Sequence, residues 1–151
     1  MLYTTWIETP LGKMVVLADE RVLHYLGFEE QCARVGRCEP IDSIEQELEK
    51  YFDGSLKCFK TPYVLQGTAF QKQVWEALAE IPFGKTWSYL ELASFVGKPT
   101  ACRAVANANG ANPLSILIPC HRVIRHSGEL GGYSSGIEKK EWLLAHEQRI
   151  D

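Results

Sequence analysis

Three short helical patterns in the second half of the chain constrain its fold more than any other sequence feature. Two of them begin with capping-box pairs, Thr68 with Gln71 and Ser88 with Glu91. An apolar stripe of helical period follows the first pair, at Phe70, Val74, Ala77, Leu78 and Ile81. The chain from residue 68 onward is therefore predicted to be mostly helical.

A glycine-containing turn joins the second and third helical patterns. The second pattern closes at Gly97. Thr100 is the predicted cap of the third, which spans residues 101–109 and ends before Gly110. Two short helices joined by a turn of about three residues are typical of a helix-turn-helix. We therefore predict this unit between residues 88 and 110.

The third helix carries one long or charged side chain, that of Arg103. The following neighbours on it are small: Ala101, Cys102, Ala104, Val105, Ala106 and Ala108. A helix that reads sequence in the major groove usually presents several polar side chains. This one could instead approach a nucleic-acid backbone closely and insert Arg103 into the base stack. A core helix with a snorkelling arginine is an equally good interpretation of the pattern.

The first third of the chain has a different character, with three short runs rich in β-branched and aromatic residues. These runs are predicted strands of an antiparallel meander: Leu2 to Glu8, Lys13 to Ala18 and Val22 to Phe28. A helix is predicted to begin at Asp42 or Ser43 and to end at Gly54.

Residues 55–67 have no clear period and form the predicted linker between two domains, 1–64 and 65–151. The first domain carries 7 Lys+Arg against 11 Asp+Glu, whereas the second carries 9 against 8. Any contact with a polyanion is therefore expected to use a local patch of the second domain.

The cysteines and the N-terminus indicate a reducing compartment. Five cysteines is an odd number with irregular spacing, typical of reduced thiols: Cys32, Cys38, Cys58, Cys102 and Cys120. Cys32 and Cys38, with His24 nearby, form no CxxC pair, so no metal or cofactor is predicted. Because there is no signal-peptide pattern and no apolar run of roughly 20 residues, we expect a cytoplasmic protein without membrane contact.

The candidate nucleophile is Cys120, which is followed by His121 and Arg122. Nearby positive charge lowers the pKa of a thiol and favours the reactive thiolate. The apolar stretch from Leu114 to Ile118 predicts a buried strand that ends at this thiol. In an extended chain Cys120 and His121 would point to opposite faces, so a turn after Pro119 or a bridging water is needed.

A second polar group should orient the imidazole of His121. Glu147, in a predicted helix over residues 137–148, is the candidate. These residues alone favour an inert buried cysteine at position 120, because free cysteine is among the most buried residue types.

The run Pro119-Cys120-His121-Arg122-Val123 resembles the active-site motif of the O6-alkylguanine-DNA alkyltransferases, also called methylated-DNA–protein-cysteine methyltransferases. The similarity covers residues 68–147 in the family's order, through these motifs: Phe70-x-x-x-Val74-Trp75, Ile81-Pro82-x-Gly84, Ser88-Tyr89, Arg103-Ala104-Val105, Asn112-Pro113, Gly132-Tyr133-Ser134 and Trp142-Leu143-Leu144-x-x-Glu147. The first 64 residues match loosely, mainly through Thr9-Pro10-Leu11-Gly12.

The resemblance implies an α+β fold. The N-terminal domain would be a small ribonuclease H-like α/β domain with antiparallel strands. The C-terminal domain would be mostly helical, winged-helix-like and built around a helix-turn-helix.

The resemblance also implies the chemistry. Cys120 would accept an alkyl group from O6 of guanine, irreversibly and once per molecule. His121, acting through a water and held by Glu147, would remove the thiol proton, and Asn112 would brace the turn that holds the nucleophile. The implied partner is double-stranded DNA containing O6-alkylguanine, approached from the minor groove by a monomer.

Four further roles follow from the resemblance. Tyr89 would help to rotate the damaged base out of the helix, and Arg103 would fill the vacated place in the stack. Tyr133 would close the pocket over the base, and Ser134 would donate a hydrogen bond to its O6. The other positions assigned to the substrate or DNA are Ser88, Cys102 and Val123.

Two other functions compete with the transferase. A non-catalytic alkyltransferase-like module binds lesions without repairing them, but such proteins lack the cysteine that Cys120 supplies here. A winged-helix regulator should show a polar recognition helix or a second sensing domain, and the sequence has neither.

Overall fold

The computed structural model describes residues 1–28 and 34–149. The chain divides into two compact units, Met1–Gln66 and Gly67–Asp151. Both strands and helices are present, so the predicted α+β class is confirmed. No helix of the described residues is long and apolar enough to span a membrane. Cys32, considered above with Cys38 as half of a metal pair, lies outside the described residues.

The first unit is built on a four-stranded sheet. Its strands are β1 (Tyr3–Thr9), β2 (Gly12–Ala18), β3 (Leu23–Gly27) and β4 (Arg34–Val35), in the order β3-β2-β1-β4. The first three pair antiparallel in sequence order, which confirms the predicted meander. The two-residue β4 pairs parallel with β1 and was not predicted, because so short a strand has no detectable period.

Helix α1 (Glu39–Asp53) follows the sheet in the first unit. The predicted start at Asp42 or Ser43 was wrong, because Pro40 stands in the first turn and begins the helix earlier. Proline suits this position, since it lacks the N–H that would have no partner there. The predicted end is confirmed, with Gly54 in the left-handed conformation at φ 91°.

Part of the predicted linker belongs to the first unit. The backbone N–H of Leu23 donates to the carbonyl of Pro62 at 2.9 Å, and that of Val64 donates to the carbonyl of Leu23 at 3.0 Å. Thr61 is buried and bonded to Glu47 through its backbone N–H and its hydroxyl. The prediction of a linker was therefore wrong for these residues, which continue the edge of the sheet.

The described residues of the second unit form four α-helices, a 3₁₀ turn and a two-stranded parallel sheet. Its elements are α2 (Ala69–Leu78), β5 (Trp87–Ser88), α3 (Tyr89–Phe95), α4 (Cys102–Gly110), β6 (Val123–Ile124) and α5 (Ile137–Arg149). Both capping boxes form as predicted, at Thr68 and at Ser88. The predicted cap at Thr100 was wrong: Ala101 occupies the N-cap of α4 and makes no side-chain hydrogen bond there.

The helix-turn-helix pair α3 and α4 packs against α2 in the core of the second unit. The indole Nε1 of the buried Trp75 donates to the carbonyl of Ala108 at 2.8 Å, which fixes α4 to α2. Arg103 and Ala104 are exposed on the other side of α4, whereas Val105 is buried. The arginine therefore lies on a bare outer surface and is not the snorkelling core residue of the alternative interpretation.

Candidate active site

The segment that leads to the thiol is a buried tight turn. The predicted strand from Leu114 to Ile118 was wrong, because these residues form isolated bridges, among them one between Ser115 and Ile118, and turn back on themselves. Ile116 adopts a φ of 71°, a conformation that costs a β-branched residue free energy and persists only where surrounding contacts impose it.

The side chain of Asn112 imposes this turn. Its Nδ2 donates to the carbonyl of Ile118 at 2.7 Å and to that of Leu114 at 3.4 Å. Its Oδ1 accepts from the backbone N–H of Leu114 at 3.0 Å. The amide thus bonds to both ends of the segment that precedes the nucleophile.

Cys120 begins a 3₁₀ turn, Cys120–Arg122, directly after Pro119. The predicted turn after the proline is therefore present. Cys120 is buried, with 4% of its surface exposed, and His121 is fully buried behind it. Because the backbone turns here, the side chains of Cys120 and His121 do not point to opposite faces as they would in an extended chain.

Behind the turn, Glu147 of α5 accepts hydrogen bonds from two neighbouring side chains. The Nε2 of His121 lies 2.7 Å from Oε2 of Glu147. The guanidinium of Arg122 donates from Nε to Oε1 at 2.8 Å and from Nη2 to Oε2 at 2.9 Å. All three side chains are buried. Burial acts to raise the pKa of Glu147, but the hydrogen bonds from His121 and Arg122 and the charge of Arg122 outweigh it and hold that pKa well below its usual range.

The ionised Glu147 fixes the tautomer of His121. Burial lowers the pKa of His121, against the opposing effect of Glu147, so the ring is neutral at neutral pH. Because the carboxylate can only accept, Nε2 carries the ring proton and Nδ1 keeps its lone pair. Within the described residues Nδ1 has no hydrogen-bond partner. The histidine is therefore held as a base with one free acceptor nitrogen.

The charge environment of the thiol differs from the sequence prediction. Burial raises the pKa of Cys120, and the Asn112 amide and the Lys140 charge lower it by smaller amounts. The expectation that Arg122 would lower this pKa was wrong, because its guanidinium is engaged by Glu147. Burial is therefore the largest influence on the pKa of this thiol.

Cys120 lies at a cavity of about 740 Å³ in the second unit. Six of the residues predicted from the sequence line it: Tyr89, Cys102, Arg103, Cys120, Tyr133 and Ser134. No Asp or Glu of the described residues is among its lining residues. Burial raises the pKa of Tyr89 and, more strongly, that of Tyr133, so both phenols stay protonated and can donate hydrogen bonds.

Two further residues predicted to contact the substrate or DNA, Ser88 and Val123, do not line the cavity. Ser88 is buried, and its hydroxyl accepts from the backbone N–H of Glu91 at the start of α3. Val123 is fully buried in β6, and its carbonyl accepts from Lys140. Neither side chain lines the cavity, and their assignment to the substrate side stays a prediction.

Two basic residues of the site were missed by the sequence reasoning. Arg125 lines the cavity and forms no ion pair within the described residues. Lys140 is fully buried beneath it. The spacing of Lys140 from Leu143 and Glu147, by three and seven positions, puts all three on one helix face and could have revealed it.

Family models of the 6-O-methylguanine DNA methyltransferases match nearly the whole chain. Their ribonuclease-like domain matches residues 1–64, and their DNA binding domain matches residues 69–149. The methylated-DNA–protein-cysteine methyltransferase of Methanosarcina barkeri is 44% identical over 156 residues, which cover 97% of this chain and 98% of that protein.

Solved structures of the same kind superpose on the chain. The crystal structure of Mycobacterium tuberculosis O6-methylguanine methyltransferase has a TM-score of 0.92 at 39% identity, covering 100% of this chain and 95% of that one. The M. tuberculosis OGT in complex with DNA has a TM-score of 0.89 at 40% identity, covering 97% of this chain and 93% of that one.

Proposed function

Because the chain belongs to the O6-methylguanine-DNA methyltransferase family, we propose that its Cys120 accepts the alkyl group from O6 of a guanine in double-stranded DNA. The protein is a DNA-repair methyltransferase that acts on methylated DNA. One observation carries the choice of acceptor: Cys120 is buried at a cavity that no carboxylate of the described residues lines, directly before a histidine that is hydrogen-bonded to Glu147.

The transfer begins with loss of the thiol proton. Nδ1 of His121 has a free lone pair and would take this proton through a bridging water. The sulfur then forms a bond to the alkyl carbon while the bond from that carbon to O6 breaks. The electron pair stays on the guanine, which takes up a proton. The product is a thioether, a poor leaving group, so each molecule reacts once.

The base must leave the stack before a thiolate can reach its alkyl group in line. Extrusion costs a few kcal/mol, and less for a poorly paired damaged base. Tyr89 and Arg103 line the cavity and are proposed to rotate the base out and to fill its place. Tyr133 and Ser134 would enclose it. A protonated phenol or a hydroxyl at the base would stabilise the negative charge that develops on the leaving guanine.

The competing functions have weaker support. An alkyltransferase-like lesion binder would lack the cysteine, whereas Cys120 is present here and lines the cavity. A regulator would need several polar side chains on α4, where those of Arg103 and Asn107 are the exposed ones among the described residues. We further propose that the protein acts as a monomer without a cofactor in the cytoplasm, and that Cys102 is a passive wall residue.

Incubation with a duplex containing one O6-methylguanine should add one methyl group to Cys120. Intact-mass and peptide mass spectrometry would locate the group, and a duplex with unmodified guanine is the control. An unmodified Cys120 alongside a retained lesion would contradict the proposal.

Replacing Arg103 with alanine should slow transfer from duplex DNA by about tenfold or more, because the vacated stack is no longer filled. The reaction of Cys120 with the free base O6-methylguanine should stay unchanged. Single-turnover rates on both substrates provide the comparison. Lys85→Ala, which removes an exposed positive charge outside the cavity lining, is the matched control. Equal losses on duplex and free base would argue against insertion of Arg103.

A further inference from the structure

Arg125 is a charged residue of the cavity that the transfer steps described above do not use. Its side chain is exposed and lines the cavity, and it forms no ion pair or side-chain hydrogen bond within the described residues. Arg122 is the opposite case, because its guanidinium is buried and bonded to Glu147 and to the carbonyl of Ile81 at 2.8 Å. The N–H donors of the Arg125 guanidinium are therefore left for a group that comes from outside.

The backbone holds Arg125 at a fixed place directly after β6. Its N–H donates to the carbonyl of Glu129 at 2.8 Å, and its carbonyl accepts from the N–H of Gly128 at 2.9 Å. The carboxylate of Glu129 accepts from the hydroxyl of Ser127 at 3.2 Å and forms no ion pair with Arg125. The side chain of Arg125 thus leaves the chain from a position that two backbone bonds fix, and its charge is not neutralised by the turn.

The stem of Arg125 lies beside the phenol of Tyr89. Gly131, which adopts a φ of 73°, lies against both: a Cβ at this glycine would be 3.1 Å from Oη of Tyr89 and 3.5 Å from Cγ of Arg125. In agreement with this proximity, burial raises the pKa of Tyr89 and the charge of Arg125 acts against that rise. Because Tyr89 is proposed to rotate the damaged base, Arg125 lies next to the path of the nucleotide that carries it.

The cavity offers an incoming anion two arginines and no competing carboxylate. Arg103 and Arg125 line it, and none of its lining residues in the described part of the chain is Asp or Glu. Arg103 is already assigned to the vacated place in the stack. A base that enters the cavity stays bonded to its sugar, so the two phosphates that flank it remain at the exposed edge, where Arg125 lies. Arginine binds phosphate through two parallel N–H···O bonds.

We propose that Arg125 binds one of the two phosphates that flank the extruded nucleotide and thereby holds the base in the cavity during alkyl transfer. The guanidinium donates to the nonbridging oxygens of that phosphate. The contact is independent of base sequence, because every nucleotide of the strand carries these oxygens. This role rests on the proposed function, since it requires a base that leaves the duplex.

A methylphosphonate, which has no charge, can replace one phosphate at a time. Three duplexes carry the same O6-methylguanine and one methylphosphonate each, on its 5′ side, on its 3′ side or far from it. With the natural protein, one of the two flanking replacements should slow single-turnover transfer about tenfold, and the distant one should have no effect. Arg125→Gln should be about tenfold slower on the unsubstituted duplex and should lose no further rate on the other three.

The controls separate this contact from a general loss of charge or of extrusion. Lys85→Gln removes an exposed charge outside the cavity lining and should keep the sensitivity of the natural protein. Arg103→Ala should be slow and yet remain sensitive to the flanking methylphosphonate. Arg125→Lys, which keeps the charge, should recover part of that sensitivity. The proposal is overturned if the natural protein tolerates both flanking replacements, or if Arg125→Gln loses the same further factor as the natural protein.

The contact can also be measured without transfer, through binding of the lesion duplexes to Cys120→Ser. The sensitive methylphosphonate should weaken this binding about tenfold, and adding Arg125→Gln should abolish that difference. The slope of log Kd against log salt concentration should also fall by about one in the double variant. An unchanged slope together with an unchanged sensitivity would reject the contact. A protein that shows the contact in binding but accepts no methyl group would count against the proposed function alone.

Discussion

Cys120→Ser should lose alkyl transfer by more than about a thousandfold while still binding DNA, because removal of the nucleophile eliminates the covalent step. A serine hydroxyl is far less acidic than a thiol, so the neutral His121 cannot supply a useful alkoxide in its place. The serine is close to cysteine in size, so the cavity and the buried charges behind it should persist. This variant therefore distinguishes binding of the lesion from transfer of the alkyl group.

The transfer rate and the binding affinity should be measured on the same lesion duplex. Quantitative mass spectrometry under single-turnover conditions gives the first, and fluorescence anisotropy gives the second. Cys58→Ser replaces an exposed cysteine of the first unit and is the matched control, which should keep both properties. Methyl transfer by Cys120→Ser, or a methyl group on another cysteine of the natural protein, would refute the assignment.

Glu147→Gln should be the most damaging change behind the thiol, with a loss of about 3–5 kcal/mol in the free energy of unfolding. The substitution keeps the shape of the side chain but leaves the guanidinium of Arg122 buried beside a neutral amide. It should also slow transfer by about a hundredfold to ten-thousandfold. The amide can donate to Nε2 of His121, which moves the ring proton to Nδ1 and removes the base.

Urea unfolding and single-turnover transfer would measure these two effects. Glu141→Gln, an exposed change on the same helix, should leave both unchanged. Because the pKa of Glu147 is held low in the folded protein, its contribution is fully present above the pKa of an unfolded glutamate, about 4.3, and is lost as pH falls toward the folded value. The stability difference between the two proteins should shrink in that acidic range. Equal stability at pH 7 would contradict the role of Glu147.

Local signals predicted much of the fold. The hydroxyl caps at Thr68 and Ser88 form as expected, since a capping box is decided within four residues. The prediction of a strand from Leu114 to Ile118 was wrong because an apolar stretch of that length indicates that the residues are buried but does not identify their backbone conformation. Its reversal depends on the side chain of Asn112. The family resemblance, based on many motifs in order, is confirmed by the matching family models.

The partners of the charged groups could not be predicted from adjacency. Arg122 follows the thiol by two positions, yet its guanidinium bonds to Glu147. Two buried charges of opposite sign pair with each other because leaving either one unpaired would be strongly destabilising. The pairing of His121 with Glu147 was predicted correctly, from the resemblance and a predicted helix. The ammonium of Lys140 went unnoticed because lysine is rarely fully buried.

Helix α5 follows every other described element of the chain and supplies both Glu147 and Lys140. A molecule in which this helix has detached would still carry the thiol, but His121 would lose the carboxylate of Glu147. Reactivity is thereby tied to completed folding. Because Cys120 is proposed to react only once, this dependence would protect incompletely folded molecules from losing that thiol to other electrophiles.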